Sequence, residues 1–140
     1  MNGGSQGIAW SDSYSLENEQ IDLQHKKLFE LVNGLIKDCM DGHDVENLKE
    51  TLAFLANYTV RHFHFEEELQ QEYAFPDYDR HKQLHEDFKV TVGDLIERFN
   101  QIGSSAELSS DVNRIVVRWL VNHILREDKM IGNHIRKMEN

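Results

Sequence analysis

Apolar residues recur at alternating steps of three and four through four long stretches of this chain. That period permits little besides helices packed side by side. The first stretch runs from about Asn18 to Gly42 and puts Ile21, His25, Leu28, Val32, Leu35 and Cys39 in one row. The second follows Asp44, a good N-cap, with Leu48, Leu52, Leu55, Thr59, His62, Glu66, Leu69 and Tyr73, and Pro76 closes it. The third carries His81, His85, Phe88, Val92, Leu95, Phe99 and Ile102 up to the turn Gly103-Ser104-Ser105. Ser109 or Ser110 caps the fourth, whose inward row is Val112, Val116, Trp119, His123 and Met130. A second apolar row there holds Leu120, Ile124, Ile131 and Ile135. No stretch alternates in the manner of a strand, and nothing repeats. The pattern predicts an all-α, antiparallel up-down-up-down four-helix bundle over residues 18–140, preceded by an N-terminal arm over residues 1–17. Met1–Gly7 reads as a flexible tail or a cloning remnant, whereas Trp10 and Tyr14 should pack down.

Bulk properties remove several function classes. Across 140 residues, 15 basic against 25 acidic side chains leave a net charge of −10, which disfavours nucleic acid and anionic membranes as partners. No apolar run approaches the roughly 20 residues of a membrane span, and Met1–Gly7 lacks the marks of a signal peptide. Cys39 is the single cysteine, so no internal disulfide forms, and we expect a reducing, cytoplasmic setting.

The informative residues are polar ones in the wrong place. His25, His62, Glu66, His81, His85 and His123 all fall on inward rows. Burying each unpaired costs about 1–3 kcal/mol, and six would consume most of a domain's stability of about 5–15 kcal/mol. A metal centre offsets this directly. The turn at Pro76 brings the His62/Glu66 pair level with the His81/His85 pair, and His25 and His123 return to the same end of the bundle. Asp128 lies five residues past His123, about 140° round an α-helix, so spacing alone leaves it either a bridging ligand or a mere cap. His43, His64 and His134 should face solvent. Five imidazoles and two carboxylates are too many for one tetrahedral zinc. Two octahedral first-row metals sharing carboxylates fit better, with iron favoured and manganese or cobalt left open.

The ordered set H…HxxxE…HxxxH…HxxxxD, with Ile21-Asp22-Leu23-Gln24-His25-Lys26, His62-Phe63, Glu66-Glu67 and Trp119-Leu120-Val121-Asn122-His123-Ile124, resembles the hemerythrins, and among them the bacterial ones, over nearly the whole chain. The resemblance implies that His81, His85 and His123 hold one iron and His25 and His62 the other. It makes Glu66 and Asp128 the bridging carboxylates, with an oxo or hydroxo group between the ions. The iron with two histidines would keep an open position for dioxygen, which would be reduced to hydroperoxide as both irons become ferric. Leu28, Trp119, Leu120 and Ile124 match positions that line the family's oxygen pocket, although ordinary core packing explains them equally well.

The expectation is therefore reversible dioxygen binding at a non-haem di-iron centre, for carriage, storage or delivery, and not an enzyme. Five neutral imidazoles replace most of the anionic donors that ferritin-like oxidases use to split oxygen. The alternative is an oxygen- or redox-sensing domain that signals through a partner or a fused output domain. Partners implied are dioxygen itself and either an oxygen-using enzyme or a signalling protein. No membrane insertion is expected.

Overall fold

The structure, a computed structural model, describes residues 8–41, 45–102, 110–111 and 113–139. Met1–Gly7, His43, the caps and turns read at Gly42, Asp44, Gly103-Ser104-Ser105 and Ser109, and the core positions Cys39, Leu48, Ile102 and Val112 lie outside the described residues or side chains.

Four helices form an antiparallel bundle, with no strand among the described residues: α1 (Glu19–Asp41), α2 (Val45–Glu72), α3 (Tyr78–Ile102) and α4 (113–139). Asn18 starts α1 by accepting the Ile21 amide on its side-chain oxygen at 3.0 Å, one of the four donors a helix start leaves unmet. At the other end of α2 the chain turns back through a two-bond cap, Phe75 N–H to Gln70 O at 2.8 Å and Ala74 N–H to Gln71 O at 3.2 Å. That cap places Ala74 in the left-handed region at φ 52°, where glycine is usual, so α2 ends four residues before Pro76.

α4 is not one uniform α-helix. It contains two π turns, Asn113–Val117 and His123–Asp128, separated by the α stretch Arg118–Asn122 and followed by Lys129–Glu139. A π turn takes up an extra residue, so positions after it are rotated relative to a simple 3.6-residue count. Met130, read as inward, is accordingly 42% exposed, while Ile131 and Ile135 are buried.

One half of the interior is uniformly apolar: Val32, Leu35, Ile36, Leu52, Leu55, Val92, Leu95, Phe99 and Val116 pack together. The N-terminal arm lies across the other half. Trp10 and Tyr14 pack on Phe29 with ring centroids 5.6 and 5.2 Å away. Ile8 exchanges two hydrogen bonds with the Asn33 side chain, at 2.8 and 2.7 Å. Leu16 crosses α4 so closely that a Cβ at Gly132 would sit 2.7 Å from its carbonyl oxygen, which leaves glycine as the residue that fits.

Candidate metal centre

His25 comes from α1, His62 and Glu66 from α2, His81 and His85 from α3, and His123 and Asp128 from α4; all seven are buried, none more than 5% exposed. The four-residue pairs stack on one helix face, as their spacing requires. Asp128 reaches the same point because the π turn takes up the fifth residue: its Oδ1 lies 3.0 Å from His123 Nε2, although five α-helical residues would have turned it away. The backbone of α4 thus decides what spacing left open.

The donor atoms converge on two overlapping points. Glu66, His81, His85, His123 and Asp128 offer one set, and His25, His62, Glu66 and Asp128 the other; within each, all ligand atoms lie within 4.8 Å of one another. His123 Nε2 lies 3.0 Å from His81 Nε2 and 3.2 Å from His85 Nε2. Donors about 2.1 Å from an ion and at right angles to one another are about 3.0 Å apart, so these nitrogens match an edge-sharing face of an octahedron better than a tetrahedron. On the second set, Glu66 Oε2 is 2.8 Å from His62 Nε2 and 3.0 Å from His25 Nε2, and Asp128 Oδ2 is 3.1 Å from His25 Nε2.

Two observations show that a cation fits here. Glu66 Oε1 and Asp128 Oδ1 are buried without a hydrogen-bonding partner, although imidazole nitrogens stand 3.3 and 3.0 Å away. Their lone pairs face a common space rather than a donor, an arrangement that costs stability unless positive charge fills it. The second observation is electrostatic. Burial pushes the His25 pKa down, but hydrogen bonds and charge from Asp128 and Glu66 outweigh this and raise it to about 9. Burial raises the Glu66 and Asp128 carboxyls, yet the surrounding imidazoles hold both well below the usual range. With no metal present, the two carboxylates favour a proton on His25.

Outer contacts fix the rings. Gln24 Oε1 accepts from His62 Nδ1 at 2.6 Å, and Glu67 Oε2 accepts from His85 Nδ1 at 2.8 Å. Each bond commits the proton to Nδ1 and leaves Nε2 bare for a metal. Neither residue was assigned a role from sequence. For Glu67 the available signal was a second inward row of α2, Phe63, Glu67 and Gln70, at steps of four and three. Aromatic stacking completes the cage: Phe63 lies parallel to His85 at 3.8 Å, and Trp119 lies on His123 at 4.2 Å. Gln70, one turn past Glu66, is fully buried with neither amide atom paired.

The remaining histidines divide. His64 is exposed and paired with Glu68, as expected of a surface residue. His134 is not: it is half-buried, with Nε2 donating to the Tyr73 carbonyl at 2.7 Å, because the end of α2 and the end of α4 close on each other. Of the residues compared with an oxygen pocket, Leu28, Leu120 and Ile124 are buried, and Trp119 is half-buried against His123.

Comparison with known proteins identifies the family. The hemerythrin HHE cation-binding domain matches residues 17–139. A bacteriohemerythrin of Methylococcus capsulatus is 37% identical over 111 residues, covering 79% of this chain and 82% of that protein. One of Pseudomonas paraeruginosa is 31% identical over 121 residues, 86% of this chain and 76% of that protein. A wild-type hemerythrin crystal structure superposes with a TM-score of 0.80 at 28% identity, covering 91% of this chain and 97% of that one. The chain belongs to the hemerythrin family, and its general type is that of a non-haem iron protein that binds dioxygen.

Proposed function

We propose that the chain holds two iron ions and binds dioxygen reversibly, as a carrier or store rather than an enzyme. His81, His85 and His123 would hold one ion and His25 and His62 the other, with Glu66 and Asp128 shared. The observation that carries this reading is the unequal donor count: one set offers five residues and the other four, with the two carboxylates common to both. The set that is one donor short is where an external ligand has room. When bound, a ferrous pair supplies the two electrons that hold dioxygen in reduced form.

The chain's own residues do the rest. The anionic Glu66 and Asp128 balance the charge of two cations in a buried space, where charge–charge attraction is strong. Gln24 and Glu67 hold the His62 and His85 rings in the tautomer that can ligate. The rings of Phe63 and Trp119, with Leu28, Leu120 and Ile124, surround the cage with apolar walls. Such walls exclude the water and protons that would promote loss of a reduced oxygen ligand.

The test is the visible spectrum of iron-loaded protein, reduced without air, exposed to oxygen and then degassed. An oxygen-dependent band that disappears on degassing supports the carrier. A band that decays within minutes to a ferric form favours the sensing role, and turnover of a reductant with oxygen favours an enzyme.

A further inference from the structure

The outer face of α4 departs from the rest of this acidic chain. On α4, Asn122 and Arg126 border one surface cavity and Asn133 and Lys137 a second, and with Arg118 and Lys129 they make a row of six basic and amide side chains. All are exposed except the half-buried Lys129. None of the four cations makes an ion pair among the described residues, whereas Arg80, Arg98, Arg114 and Arg136 do, and Lys26 and Arg61 elsewhere lie over the rings of Trp10 and Tyr58. Glu127, the acid beside Arg126, is already held by Arg80 of α3 in a two-pronged pair at 2.5 and 2.8 Å. Positive charge is therefore concentrated on one helix of a molecule whose net charge is −10.

This row passes directly over the centre. An open cavity at its middle is lined by Leu84, Trp119, Asn122, His123, Arg126 and Glu127. Trp119, half-buried there, stacks on His123 at 4.2 Å and 11° and on Phe88 at 3.9 Å and 14°. Two aromatic rings in van der Waals contact thus connect the basic surface to the inner end of His123. Another cavity beside a site histidine, at Gln24, Tyr58, Arg61 and His62, has no stacked ring pair leading in among the described residues.

We propose that this face of α4 docks a small acidic one-electron carrier protein of the flavin or iron–sulfur class, and that Trp119 and His123 conduct its electrons to the centre. The proposal rests on the di-iron reading above, because a ferric pair left without its oxygen ligand has no electrons for dioxygen until it is reduced. Each docking event oxidises one carrier by one electron and returns one ferric ion to ferrous. Two events restore the pair, and no bond in the protein is made or broken. Complementary charge supplies orientation as well as rate, since each of the other three helices holds more acidic than basic residues.

The test uses the iron-loaded chain, oxidised to the ferric form and mixed with reduced flavodoxin, a small acidic flavin protein. The expected result is reduction that slows steeply with added salt and slows about tenfold or more in Arg118→Gln/Arg126→Gln/Lys137→Gln, whose iron content and oxygen band match the parent. Carbodiimide, which joins carboxylates to lysine amines, should attach flavodoxin to Lys129 and Lys137 ahead of Lys26, Lys37 and Lys89. Trp119→Leu should lower the rate at saturating flavodoxin without changing its salt dependence. Reduction of the triple variant at the parent's rate, or cross-links spread over lysines outside α4, would overturn the proposal. So would retention on anionic lipid vesicles or duplex DNA that the triple variant loses, which would make the face a phosphate-binding surface. A chain that takes up no iron fails before flavodoxin is added; that result overturns the di-iron reading and the electron path together, and the cross-links alone then decide the docking face.

Discussion

The two halves of this bundle's interior are built on the same helical rows and obey opposite rules. Toward the α1–α2 connection the rows hold Leu35, Leu52, Leu95, Phe99 and Val116, in contact with one another. Toward the α2–α3 connection the same rows hold five histidines and two carboxylates. The apolar half gains stability from every methyl it buries, about 25 cal/mol per Å² of apolar surface. The polar half spends it, leaving buried oxygens of Glu66 and Asp128 without donors. What separates a core from a site here is not position on the helix but which half of the molecule carries the cost.

That division can be broken or sharpened. The largest expected effect is in the apolar half: Phe99→Ala should lower unfolding free energy by about 3–5 kcal/mol in a denaturant titration while leaving metal uptake per folded chain unchanged. Loss of metal binding in proportion to stability would mean the halves are not independent. Gln70→Met, in the polar half, should do the reverse and raise the melting temperature of the metal-free chain, by the equivalent of about 1–3 kcal/mol, because an unpaired buried amide is replaced by an apolar side chain of similar size. A lower melting temperature would show that the amide has a partner worth more than its burial.

Acidity sharpens the contrast next. The folded His25 pKa is raised from 6.5 to about 9, so its contribution to the stability of the metal-free chain is complete below 6.5 and is lost as pH rises through about 9. The same proton competes with metal, so affinity should rise with pH up to about tenfold per unit across that window, and then level off. Affinity that is flat between pH 6.5 and 9 would show that the two carboxylates do not hold this proton. The smallest effect lies outside both halves: Ala74→Gly relieves a left-handed residue at the α2 cap and should add about 1 kcal/mol, read as a small rise in the denaturation midpoint.

Much of this was legible in the sequence. The helices follow from an unbroken three–four alternation, and six donors announced themselves as polar residues on apolar rows. Asp128 and Met130 were harder for one shared reason: the π turn His123–Asp128 inserts a residue that no count at 3.6 per turn anticipates. Gln24 and Glu67 were hidden differently. They contact the outer nitrogens of His62 and His85 across helix pairs, a relation that depends on how the helices are rotated against each other. The seat of the arm was partly visible in Trp10 and Tyr14. Its tightest point, Leu16 against Gly132, joins residues more than a hundred positions apart and leaves no local signal.

The central claim, that the polar half is one cage for two metals, is tested most directly by native mass spectrometry of the chain titrated with ferrous iron in the absence of air. The account predicts a final mass carrying two irons, falling to at most one in Glu66→Ala, which removes a donor common to both sets. A wild-type chain that saturates at a single metal, or a Glu66→Ala chain that still carries two, would contradict it.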